Sequence, residues 1–195
     1  MAEMSELALE KPATALVVID LQKGVVGMPT EPYSANNVVA NAARLADAFR
    51  KSGMSVFLIR VTPSADGKDG LKPIADNALQ WNQPRPADWS DIVPELGPAP
   101  GDLVITKRQW GAFYGTELDL QLRRRGIHTI VLCGISTNIG VESTARFAYE
   151  YGYQQIFVED ACSARSKEEH DHTMKYNLPR MGRVLSTKDV LAELE

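Results

Sequence analysis

Three separated stretches of this chain carry groups able to move protons or to hold a developing charge. Asp20 ends the apolar run of Thr14-Ala-Leu-Val-Val-Ile-Asp-Leu-Gln22. Lys107 lies in Val104-Ile-Thr-Lys-Arg-Gln-Trp-Gly-Ala-Phe-Tyr-Gly-Thr-Glu-Leu118. The third stretch, Val131-Leu-Cys-Gly-Ile-Ser-Thr-Asn-Ile-Gly140, is an apolar strand that breaks at Gly134 and leads into a helix. A strand-turn-helix of that kind is where a nucleophile elbow is built, with helix N–H groups aimed at developing negative charge. Each residue also has a plainer reading. Asp20 can be a turn former after a strand, Lys107 a solvated lysine, and Ser136 and Thr137 turn and cap hydroxyls rather than nucleophiles.

The elements that must position these groups follow from periodicity. Ala15–Ile19 is a continuous apolar run, the pattern of a strand buried on both faces of a parallel sheet. Ser34 caps a predicted helix over 35–52 that Gly53 closes. Further strands are expected at 55–61, 102–105, 129–133, 155–158 and 183–185, with Glu159-Asp160 closing the fifth. Helices fall between them, capped by Thr116 with Asp119, Ser166 with Glu169, and Ser186 with Asp189. The strand-helix alternation predicts a three-layer α/β/α, Rossmann-like, mainly parallel six-stranded sheet. Ligands in such sheets bind beyond the carboxyl ends of the strands. That rule gathers Asp20, Lys107 and Gly140 at one edge. Residues 1–13 read as a polar lead-in to a single domain, and residues 62–101 as a long irregular segment rich in Pro, Asp, Gly and Trp.

Composition narrows the function classes. A net charge of −4 offers no general attraction to phosphate backbones or anionic membranes. No apolar run approaches the roughly 20 residues of a membrane span. No basic segment followed by an apolar stretch opens the chain, and two cysteines without a signal fit a reducing cytoplasm. Cys133 and Cys162 read as small packed hydrophobes.

The three blocks, in this order and spacing, resemble the isochorismatase-like hydrolase superfamily, which includes nicotinamidases, carbamoyl-group amidases and isochorismatases. The resemblance runs from about Thr14 to the C-terminus. It implies that Asp20 transfers protons and that Lys107 gives electrostatic support. Gly140 stands where most members have the nucleophilic cysteine. The resemblance also implies a non-proline cis peptide at Ile135–Ser136, with an oxyanion pocket from backbone N–H groups near Ser136 and Gly140. Isochorismatases also have glycine at this point. There an aspartic acid protonates a vinyl ether, and water attacks the resulting cation. Their turn reads Tyr-Ala-His-Ile-Gly after Gly-Val, whereas this one reads Gly-Ile-Ser-Thr-Asn-Ile-Gly. The resemblance therefore implies a reaction class and not isochorismate itself.

Some amidases of the superfamily hold zinc through an aspartate and two histidines upstream of the lysine. His128, His170 and His172 all follow Lys107, so neither metal nor cofactor is expected. Arg60, Trp110, Phe113, Tyr114 and Asn138 are candidate substrate-binding residues. Trp81, Trp89 and Trp110 fit either a pocket or a subunit interface. Arg60 suits a substrate carboxylate or an acidic side chain, and Arg108 reads as a surface residue. The expected partners are a small-molecule substrate and further copies of the chain, as a homodimer or homotetramer. A catalytically inactive binding homologue, and an amidase with another nucleophile, remain the alternatives.

Overall fold

The computed structural model describes residues 9–77 and 85–194; Trp81 and most of the lead-in lie outside them. Thr14–Ile19 forms strand β1, and all six residues are buried, as a run covered on both faces requires. β1 is central. Ser55–Val61 (β2) and Leu103–Lys107 (β3) extend the sheet to one side. Thr129–Ile135 (β4), Gln154–Ser163 (β5) and Arg183–Leu185 (β6) extend it to the other. The order is β3-β2-β1-β4-β5-β6, and every pairing is parallel.

Six α-helices follow in chain order: the single turn α1 (Lys23–Val26), α2 (Ala35–Lys51), α3 (Leu118–Arg124), α4 (Glu142–Glu150), α5 (Lys167–His172) and α6 (Thr187–Ala192). The chain leaves β1 in one direction through α2 and crosses back through α3 to β4. Right-handed crossovers therefore place α2 on one face and α3, α4 and α5 on the other. α6 packs beside α2. Val38, Ala42, Leu45, Ala46 and Phe49 form the buried stripe of α2. The sheet reverses its winding between β1 and β4, so a crevice opens above their carboxyl ends. No helix among the described residues is long and apolar enough to cross a membrane.

Four local expectations need correction. β4 does not break at Gly134 but continues to Ile135. Glycine is required there by proximity, since a Cβ would lie 2.1 Å from the carbonyl oxygen of Ile19 on β1. β3 runs through Lys107, so the lysine is the last residue of a strand. Glu159 and Asp160 do not close β5. Asp160 accepts from the backbone N–H and hydroxyl of Thr187 at 2.7 and 2.8 Å. With the acid satisfied, the extended chain continues, and the pairing jumps from Leu132–Phe157 to Gly134–Cys162. Finally, Thr116 and Asp119 form no capping box. The Thr116 hydroxyl turns back to the Ala112 carbonyl, and Asp119 is taken by Arg123 and the Tyr153 hydroxyl. The boxes at Ser166/Glu169 and Ser186/Asp189 are present.

Candidate active site

Asp20 sits where β1 leaves the sheet. Its φ is +54°, a left-handed conformation that Asp tolerates better than most residues. Its backbone N–H is fixed at 2.9 Å on the Ile59 carbonyl of β2. The turn presents its carboxyl to the end of β3, where Lys107 Nζ lies 2.7 Å from Asp20 Oδ2. Both residues are buried, Asp20 at 6% exposure and Lys107 at 1%. The ammonium also donates to the carbonyls of Gln109 at 3.1 Å and Trp110 at 2.7 Å, so its three N–H bonds are all engaged. Asp20 Oδ1, by contrast, is buried without a hydrogen-bond partner among the described residues. Burial raises the Asp20 carboxyl above the ordinary carboxylate range, and it outweighs the opposing attraction and hydrogen bond of Lys107. The group holds its proton to a higher pH than a free aspartic acid does.

The third segment closes the site. The Ile135–Ser136 peptide is cis. Thr137–Val141 then forms a wide π-helical turn, in which the Ser136 carbonyl accepts from the N–H groups of Ile139 and Val141. The Thr144 hydroxyl donates to the Gly140 carbonyl at 2.7 Å and starts the regular α4 beyond it. Gly140 faces Asp20: a Cβ there would lie 3.1 Å from Asp20 Oδ2 and 2.9 Å from Ile19 Cγ2. Any side chain at position 140 would therefore point at the acid.

Asp20, Lys107, Ser136, Gly140 and Trp110 line one cavity of about 720 Å³, a size suited to a small molecule. Four other candidates do not line it. Phe113 is buried in the core against Tyr151 and Tyr153, with ring centroids 5.4 and 5.7 Å away. Tyr114 is 70% exposed. Arg60 donates to Thr106 Oγ1 across β2 and β3 at 3.0 Å. Asn138 accepts from the Ser136 hydroxyl and lies in a separate hollow beside Glu142 and Thr173. The segments were gathered by strand topology, but side-chain direction within each turn is not encoded in spacing.

Cys133 and Cys162 are fully buried in the sheet and do not line the cavity. Burial pushes both thiols up, Cys162 to about 12. Asp20 is the single carboxylate among the described lining residues, and no imidazole joins it. That donor set does not match the aspartate and two histidines that the resemblance implies for a zinc site. His170 is instead buried against the Thr137 hydroxyl at 2.8 Å.

Sequence reasoning missed Gln22, Gly24, Arg85 and Arg165. Gln22 is fully buried and bonds both backbone groups of Val61, at 2.7 and 3.0 Å. It thereby fixes the loop after Asp20 to the end of β2. Its signal was an amide two residues past a catalytic candidate. Arg85 and Arg165 line the cavity and carried no motif.

The site thus combines a parallel α/β sheet, a buried acid–lysine pair and a cis-peptide turn at the point where the strand order reverses. The chain belongs to the isochorismatase family: residues 14–189 match the model for the isochorismatase domain. It is 51% identical over 193 residues to the uncharacterised isochorismatase family protein YwoC of Bacillus subtilis, covering 98% of this chain and all of that one. It is 32% identical over 182 residues to the ureidoacrylate amidohydrolase RutB of Variovorax paradoxus, covering 82% of this chain and 72% of the relative. A solved isochorismatase family protein from Burkholderia thailandensis superimposes with a TM-score of 0.90 at 47% identity, over 94% of this chain and 96% of that one.

Proposed function

We propose that this isochorismatase-family hydrolase cleaves a small molecule by direct attack of water, with no covalent enzyme intermediate. The observation that carries the reading is the site at position 140. It faces a carboxyl of raised pKa and offers only hydrogen, while both thiols lie buried in the sheet. Asp20 is the general acid, and its Oδ2 faces the space at Gly140 from which the substrate takes the proton. Lys107 has no N–H to spare. Its part is to hold the carboxyl in place and to balance the charge left after proton transfer. The space at Gly140 admits water or substrate.

For a vinyl ether the steps balance. Asp20 protonates the vinyl carbon, and water adds to the oxocarbenium carbon. Asp20 recovers a proton from that water, and the hemiketal expels its alcohol. A ureido or amide substrate uses the same acid on its leaving nitrogen, and the name of RutB places ureidoacrylate among the compounds that relatives hydrolyse. N–H groups near Ser136 and Gly140 supply the oxyanion pocket. The working form is a homodimer or homotetramer.

The test is to incubate the protein with a panel of vinyl ethers, amides and ureido compounds in isotopically labelled water. Products and intact chain are then followed by mass spectrometry. Label in the product with an unmodified chain during turnover is the expected result. A substrate-derived adduct on the chain would restore an enzyme nucleophile. A panel left wholly untouched would favour the non-catalytic homologue.

A further inference from the structure

The turn that carries Ser136 and Gly140 is braced from outside the cavity. Thr137, its first residue, and His170 on α5 are both fully buried. Thr137 Oγ1 lies 2.8 Å from His170 Nδ1. Neither residue lines the cavity. α5 is itself held on both sides of this contact. Ser166 and Glu169 cap its start, and Ala164 just before it pairs both backbone groups with Glu31, at 2.9 and 3.0 Å. Beyond His170, the Thr173 hydroxyl and Asn177 Nδ2 donate to the Glu142 carboxylate at 3.0 and 3.1 Å. His170 Nε2 is buried with no hydrogen-bond partner among the described residues, and the ring stands edge-on to Tyr33, with centroids 5.8 Å apart. Burial lowers the imidazole pKa against the attraction of Glu159 and Asp171, so the ring is neutral at neutral pH. A buried ring that satisfies one nitrogen and leaves the other without a partner is less stable than an apolar side chain of the same size. The one side-chain hydrogen bond it makes goes to the turn.

We propose that His170 is a positioning residue of the oxyanion turn, acting through Thr137 to aim the backbone N–H groups near Ser136 and Gly140 at developing negative charge. A donor stabilises an oxyanion only when it is fixed close to its working position, within about 0.5 Å. The wide turn does not fix its own peptide planes tightly, because the Ser136 carbonyl is shared between the N–H groups of Ile139 and Val141 at 3.2 and 3.1 Å. Side chains hold its two ends instead. The Thr144 hydroxyl holds the Gly140 carbonyl at the far end, and His170 holds Thr137 at the near end. The inference rests on the hydrolytic reading of this site and assigns a role to a buried group which that reading does not use.

The test measures His170→Ala, His170→Asn, Thr137→Val and the double variant of His170→Ala with Thr137→Val, on the full chain, with the compound of the panel that wild type turns over fastest. Asn carries a polar atom at the place of Nδ1. Val keeps the shape of Thr without its hydroxyl, so Thr137→Val reads the same bond even if His170→Ala does not fold. Each of His170→Ala and Thr137→Val should lower kcat roughly ten- to a hundredfold at unchanged KM, the scale on which loss of an outer hydrogen-bond partner acts on a site. His170→Asn should recover most of the rate. The double variant should be no slower than either single one, as one shared bond requires. Amide exchange followed by mass spectrometry reads the brace without turnover. Peptides over 136–142 should exchange about two- to tenfold faster in both single variants, the range of one hydrogen bond, and those over β1 should not change. The inference is overturned if the folded variants keep the wild-type kcat and lose only denaturation midpoint, or if the loss falls on KM. It is overturned equally if His170→Asn restores nothing or if exchange over 136–142 is unchanged. A wild type inert toward the whole panel removes the hydrolytic reading and this role together, whereas an active wild type matched by its variants removes this role alone.

Discussion

At the scale of single residues, the site depends on one carboxyl being buried further than its counter-charge can compensate. The consequence for stability has a definite sign. The folded pKa of Asp20 is raised from 3.8, so the native state binds a proton more tightly than the unfolded chain. Its stabilising share is complete below the unfolded value and is lost as pH rises through the folded one. Asn does not titrate, so Asp20→Asn should flatten that part of the stability–pH curve, which urea melts at a series of pH values will check. The neighbouring position invites a second substitution. Gly140→Cys would place its Cβ 2.9 Å from an Ile19 methyl and 3.1 Å from Asp20 Oδ2. The methyl must give by a few tenths of an ångström, at a cost of roughly 1–3 kcal/mol. The new thiol would then stand beside a base and the cavity. Iodoacetamide should label it well before the buried Cys133 and Cys162, as peptide mapping by mass spectrometry would show. Equal rates at the three sites would mean that position 140 does not meet the acid.

At the scale of elements, the site is held by strand ends, and the closest approach is between β1 and β4. Gly134→Ala would drive a methyl to 2.1 Å from the Ile19 carbonyl oxygen. Backbone faces backbone there, and neither can rotate away. A loss of roughly 3 kcal/mol or more is expected, read as a lowered denaturation midpoint together with disturbed ligand binding beside Asp20. This contact also marks what the sequence conceals. The apolar runs and helix stripes made β1, β2 and α2 legible, because periodicity reports burial directly. Ser34, Ser166 and Ser186 announced their helices through cap chemistry. Glycine at 134 looked like a strand breaker, because its partner is more than a hundred residues away and spacing carries no record of it. Glu159 and Asp160 looked like a strand end for the same reason: the groups that satisfy them come from Tyr33, Asn41 and Thr187. Asp20 and Lys107 could be placed at one sheet edge from topology and paired by family resemblance. Phe113, Tyr114, Arg60 and Asn138 could not be aimed, since a turn of a few residues decides which side chain enters a cavity and which enters the core.

At the scale of the whole molecule, aromatic surface gathers beside the cavity. Trp110 is 51% exposed and Tyr114 70%, and Phe147 and Tyr151 lie partly open with ring centroids 6.3 Å apart. Apolar rings left in water at the rim of a site favour association. Light scattering at micromolar concentration should return a dimer or tetramer, and a monomeric mass would contradict that expectation. Trp110 belongs both to this surface and to the cavity lining, so association and substrate access would be coupled through one side chain.

The central claim is that Asp20 supplies the proton in a hydrolysis that uses no thiol. The most direct measurement is kcat/KM of wild type and Asp20→Asn on the compound of the panel turned over fastest, with circular dichroism confirming the fold of the variant. A fall of roughly a hundred- to ten-thousandfold is expected. The wild-type rate should be unchanged after exhaustive iodoacetamide treatment. An Asp20→Asn enzyme as fast as wild type, or a wild type silenced by alkylation while still folded, would contradict it.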